Sequence, residues 1–236
     1  MYQKTYQSYS TSVDRPAAFA TLMRNVYIWM TLALAATGLT AAYVANSPAI
    51  LQYVFSGFTM WILFAVELGL VWYLSSRIMS MSFTTAGILF VAYSVLNGVT
   101  MSCIFLAYTM ESIASTFYIT AGTFGAMSLV GFFIKKDLST MGRFLIMAVI
   151  GLIIATIVNI FVQSSMLTWI ITYAGVLIFC GLTAYDTQKI KDMLIQYGGE
   201  LNESTLKIAL LGSLSLYLDF INLFIYLLRI FGSSRD

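Results

Sequence analysis

From Ile208 to Phe231 the chain runs for about 24 mostly apolar residues with a single carboxylate, Asp219, near the middle. A helix of that length crosses a hydrocarbon layer about 30 Å thick. An ionisable group at that depth costs at least about 2.5 kcal/mol on insertion scales, so Asp219 has to face protein or water and not lipid. Asn222 lies one helical turn after Asp219 and Ser215 one turn before it, which puts all three on one polar stripe of an otherwise greasy helix. The plain reading is an acid that only hydrogen-bonds a neighbouring helix. The sharper reading is a functional group, since intramembrane acids are functional candidates by default.

The rest of the chain is of the same kind. Its 236 residues are 60% hydrophobic and 9% charged, with a mean hydropathy of +0.87, whereas soluble domains are roughly a quarter charged. This is the composition of a polytopic membrane protein. Only two prolines and sixteen glycines interrupt the apolar runs, and the runs do not alternate as barrel strands would, so the expected fold class is all-α. A net charge of +2 with scattered basic residues excludes nucleic acid as a partner. Cys103 and Cys180 sit inside apolar runs with no metal-ligand spacing and read as small packing residues. Histidine is absent, so any response to pH near neutrality falls to carboxylates. No cofactor and no enzymatic activity are expected.

Taken in order, residues 1–23 form a polar cytosolic tail, expected to end in a short interfacial helix at Pro16, with no cleavable signal before the first span. Residues 24–232 form the transmembrane domain, with spans at 26–45, 50–75, 83–108, 113–134, 144–162, 167–187 and 208–231, and residues 233–236 are a polar C-terminal end. Ala33, Thr37 and Ala41 recur every four residues in the first span as small side chains that admit a neighbouring helix. Glu67 is a second intramembrane acid and Arg77 closes the same span; Tyr93, Ser94 and Asn97 form the polar face of the third. Residues 189–207 read as the one clearly soluble connection. No tandem or inverted repeat is visible, which weighs against a transporter built from halves.

An odd number of spans places the termini on opposite sides. With the N-terminus in the cytoplasm, the inner segments hold Lys4, Arg15, Arg24, Arg77, Lys135, Lys136, Arg143, Lys189, Lys191 and Lys207, and the outer ones only Arg229 and Arg235. Ten against two is a strong positive-inside bias. Counting about 1.5 Å per residue puts Asp219 about 16 Å into the last span and Asp186 near the inner end of the sixth. Glu67 and Arg77 fall in the same inner half, so the four charges could converge. Two carboxylates that close in a low-dielectric site do not both ionise cheaply and come to share a proton. Ionised, Asp186 and Asp219 would repel, admit water and offer oxygen ligands to a hard cation such as Ca²⁺.

Gly181 to Gln188, reading GLTAYDTQ, and Leu216 to Gly232, reading LYLDFINLFIYLLRIFG, together with the lead-in RPAAFATLMRNVY, resemble the Bax inhibitor-1 (transmembrane BAX inhibitor motif) family, in its bacterial YccA-like branch. The resemblance covers essentially the whole chain. It implies seven helices with the last one central, and a pH-sensitive calcium leak pathway in which Asp186 and Asp219 form the sensor. Glu67 and Arg77 would correspond to an acid and an arginine of the family's second span, although the sequence between them is not a sharp motif. The partners so implied are membrane lipids and calcium or protons, in an inner membrane.

A reading of a different class is a regulator that binds a membrane-anchored AAA protease, as bacterial relatives of this branch resemble. For that role the tail 1–23 and the outer helix faces matter more than the acids. An intramembrane aspartyl protease fits poorly: Tyr185 and Asp186 match half of such a site, but Asp219 follows Leu216, Tyr217 and Leu218 where the other half needs Gly-x-Gly. A retinal protein is excluded by the absence of a lysine within the last span.

Overall fold

The computed structural model describes residues 15–197 and 201–235. The expected tail lies outside these residues as far as Asp14. Eight α-helices follow one another among the described residues: α1 (Arg15–Ala45), α2 (Pro48–Val54), α3 (Thr59–Arg77), α4 (Phe83–Ala107), α5 (Met110–Phe133), α6 (Ser139–Val162), α7 (Ser165–Gln196) and α8 (Glu203–Phe231). Seven of them are long and apolar enough to cross a membrane; α2 is the short exception. The protein is an all-α, multi-pass membrane protein.

Local chemistry sets the breaks. Ser82, Thr109 and Ser164 each accept a hydrogen bond from a backbone amide in the first turn of α4, α5 and α7, and Asn202 and Thr205 form a reciprocal capping box at the start of α8. Inside the spans, hydroxyls bond back to the carbonyl four residues earlier, as Thr120 does to Thr116, Thr187 to Thr183 and Ser213 to Ala209. That satisfies them without water, as a bilayer requires.

Three boundaries differ from the expected ones. α1 begins at Arg15 and runs unbroken into the first span, so residues 15–23 belong to the same helix and not to a tail with a separate interfacial helix. The second apolar run is split: α2 ends at Val54, Gly57 turns the chain with φ +54°, and the span proper starts at Thr59. Residues 189–207 are not an open loop, because α7 continues to Gln196 and α8 starts at Glu203. Hydropathy marks the lipid-immersed part of a helix and is blind to helical turns that project beyond it.

α8 is the axis. It packs against α1, α4, α5 and α7, while α3 leans on α4 and α6 on α7 at the periphery. Tyr217, Leu210, Leu214, Leu216, Leu223 and Leu228 on α8 are among the largest fully buried side chains. The outer faces carry large apolar groups such as Phe58, Trp61, Trp72, Phe161 and Leu177, suited to lipid. At the end where α8 finishes, the chain folds back: Ser233 accepts from the Thr109 amide at 3.2 Å and the Arg235 amide donates to Ala107 at 2.9 Å.

Candidate functional site

Asp219 lies on the α7-facing side of the central helix and is 5% exposed. Its Oδ2 is buried and has no hydrogen-bond partner among the described residues. Asp186 lies on α7, which packs along α8. The two final helices are antiparallel neighbours in extended contact, as expected from their short connection. Asn222, placed on the same stripe, turns its amide back to the Leu218 carbonyl of its own helix at 2.8 Å.

Close packing of α7 positions Asp186. A methyl group on Gly131 of α5 would collide with the Ala184 carbonyl, two residues before Asp186, and one on Gly142 of α6 would strike the Tyr185 ring. Two residues after it, Gln188 accepts from the Leu138 amide at 2.8 Å and donates to the Lys136 carbonyl at 3.0 Å. Lys191 donates to the Phe132 carbonyl at 2.9 Å. The α5–α6 turn is thereby strapped to α7 one half-turn beyond the acid. In that turn Asp137 accepts from the amide and hydroxyl of Ser139, and these bonds hold its carboxyl below the usual range.

Glu67 occupies a different place. It is 7% exposed and accepts from the Thr100 hydroxyl at 2.9 Å; Asn97 lies one turn before Thr100 on α4. Asn97 in turn accepts from the Tyr217 hydroxyl at 3.1 Å, and Tyr217 lies 2.7 Å from the Thr37 hydroxyl. Tyr217 donates to Asn97, while the Thr37 hydroxyl, with one proton, also stands 2.9 and 2.8 Å from the Ala33 and Ser94 carbonyls. Phe90 and Tyr93 enclose Tyr217 edge-on, with ring centroids at 5.8 and 6.0 Å. This network ties α1, α3, α4 and α8 together. Thr37, Thr100 and Tyr217 were not singled out as partners of Glu67 by sequence; Thr37 was legible only as the one hydroxyl in a stripe of small residues.

Arg77 stands apart. It is exposed at the end of α3, and no ion pair joins it to Glu67, Asp186 or Asp219 among the described residues. The four charges therefore do not gather in one inner cluster. The buried cation at that end of the bundle is Lys207, which donates to the Met79 and Met81 carbonyls, both at 3.2 Å, and pairs with Glu203 at 3.6 Å. Sequence had placed it in a loop.

A family model described as "Inhibitor of apoptosis-promoting Bax1" matches residues 20–236, a range that holds both acid-bearing motifs. The chain belongs to the Bax inhibitor-1 family. It is 48% identical over 228 residues to the inner membrane protein YbhL of Escherichia coli (strain K12), spanning 96% of this chain and 97% of the relative. Over 216 residues it is 44% identical to an uncharacterized protein of Deinococcus radiodurans, 92% of this chain and 91% of that one. Over 236 residues it is 42% identical to the uncharacterized protein RP147 of Rickettsia prowazekii, covering 100% and 99%. Like the resemblance drawn from the two motifs, these are bacterial members. In this Bax inhibitor-1 protein no group of three or more Asp, Glu, Cys or His side chains gathers among the described residues.

Proposed function

We propose that this Bax inhibitor-1 family member is a proton-responsive, low-flux cation leak pathway, with calcium as the conducted ion and Asp186 and Asp219 as its sensor. It is a channel and not an enzyme, resides in the inner membrane as the printed name of YbhL suggests, and has its N-terminus in the cytoplasm, in keeping with the ten-to-two charge bias. The observation that carries the reading is the unpartnered Oδ2 of Asp219 on the most buried helix, with the Asp186-bearing helix packed along it. A buried carboxylate oxygen without a donor is destabilised as an anion, and a second carboxylate beside it deepens that cost. A shared proton relieves both, and its loss drives the two helices apart and favours entry of water and a cation. Intramembrane ionisable groups that face the bundle interior mark ion and proton paths more often than they mark structure.

The test is calcium flux into liposomes holding the purified protein, measured from pH 5 to 8. Wild type should show a flux that changes with pH, Asp219→Asn and Asp186→Asn should each flatten that change, and the double variant should abolish it. An unaltered pH profile in the double variant would refute the sensor.

A further inference from the structure

α1 and α5 both lean on α8 without closing the seam between them. Along it lie three adjoining cavities. One, of about 520 Å³, is lined by Met23, Arg24, Gly125, Ser128 and Phe132. The next, of about 670 Å³, shares Tyr27, Gly125 and Ser128 with it. A smaller one, of about 100 Å³, shares Leu34, Gly38, Phe117 and Phe220 with the second. Together they form a fissure along the bundle with Phe220 of α8 in its floor. It stays open because its walls are small: a methyl group on either Gly38 or Gly125 would meet nothing within 4 Å.

The lining is mostly apolar; the Thr31 and Thr37 hydroxyls in it are bonded to backbone carbonyls, and two further polar side chains stand towards one end. Arg24 is exposed at the mouth and has no ion pair among the described residues. Ser128 is 5% exposed, lines both larger cavities, and its hydroxyl is buried without a partner. Ser128 lies five residues before the end of α5 at Phe133, about 8 Å further along the helix axis. A guanidinium at the mouth, a lone donor below it and an apolar slot beyond reproduce, in order, what a glycerophospholipid presents: phosphate, ester carbonyl, acyl chain. Arginine suits phosphate through its planar fork of donors, and basic pockets between membrane helices take lipid headgroups. Each of the two larger cavities is by itself of the size that small-molecule sites occupy, roughly 300–1,000 Å³.

We propose that the α1–α5 fissure is a specific phospholipid site: one acyl chain lies in the slot, the phosphate meets Arg24, and the ester carbonyl accepts from Ser128. The lipid enters from the leaflet at the Arg24 end. It completes the wall that α1 and α5 leave open and bears on Phe220, the neighbour of Asp219.

The full-length protein, delipidated in detergent, is titrated with palmitoyl-oleoyl phosphatidylglycerol or with oleic acid and read by native mass spectrometry. One phosphatidylglycerol per chain should bind at least tenfold more tightly than further adducts, and oleic acid should bind far more weakly. Arg24→Gln should weaken the first phosphatidylglycerol about tenfold, and Gly125→Leu, which fills the slot, should remove the preference for a first lipid. Gly38→Leu makes the same test from the opposite wall should Gly125→Leu not yield helical, monodisperse protein. Equal binding of oleic acid and phosphatidylglycerol, or an unchanged first adduct in the slot-filled protein, would overturn the proposal. No ion flux enters the readout, so its failure is distinct from failure of the channel reading.

Discussion

Tyr217 and Asp219 stand two residues apart on the same buried helix, yet they live in opposite kinds of surroundings. The Tyr217 side is closed: its hydroxyl bonds Asn97 and lies against Thr37, and Thr100, one turn further along α4, donates to the Glu67 carboxylate. On the Asp219 side an oxygen is left without a donor and the helix that bears Asp186 packs alongside. Fully satisfied buried networks rigidify a core, whereas an unsatisfied group in a native structure calls for a reason beyond stability. Two acids that look alike in sequence, Glu67 and Asp219, thereby separate into one that a donor holds and one with an oxygen left without a donor.

Four substitutions sharpen or break that contrast when thermal unfolding is followed in detergent micelles. Glu67→Ala should be the most damaging, about 3 kcal/mol, because it removes the charged acceptor of the Thr100 hydroxyl and empties a buried site between α3 and α4. Tyr217→Phe should cost about 1–2 kcal/mol, the price of losing the donor to Asn97 while keeping the ring. Asp219→Asn should range from no change to a gain of about 1 kcal/mol, since a neutral amide is cheaper to bury than a carboxylate that lacks a partner. A loss from Asp219→Asn as large as that from Glu67→Ala would erase the distinction.

The smallest effect is expected at Asp137, which lies in a turn outside the spans. Hydrogen bonds from Ser139 depress its carboxyl below the ordinary 3.8. A depressed acid contributes stability above its unfolded value and loses it as pH falls through the folded one. Asp137→Asn should therefore cause a slight loss of stability at pH 5 and above, and that loss should shrink as the pH falls below 3.8. The reverse pH order would show that the Ser139 bonds do not form.

Much of the architecture was legible because the bilayer imposes it: apolar runs of sufficient length, a polar stripe on the last of them, and an antiparallel pair made by a short connection. Asp186 and Asp219 were legible for the same reason, as ionisable groups where lipid forbids them. Thr37 and Arg77 were only partly legible, for the opposite reason. A hydroxyl in a helix can hide on its own backbone, so nothing along the chain said that Thr37 reaches across to Tyr217. An arginine at a helix end can point inward or snorkel outward, and only the neighbours decide.

The sequence by itself determined that the chain crosses a membrane seven times as helices and that its last two spans carry buried acids, because hydrocarbon tolerates neither unpaired backbone nor a free charge. Tertiary structure alone decided which face of α8 meets which helix. It gave Glu67 a donor, left Asp219 without one, turned Arg77 out and kept α1 and α5 apart. The physical reason is that helix pairing in a bilayer rests on close fit and a few polar contacts between distant segments, and periodicity within one segment does not record them.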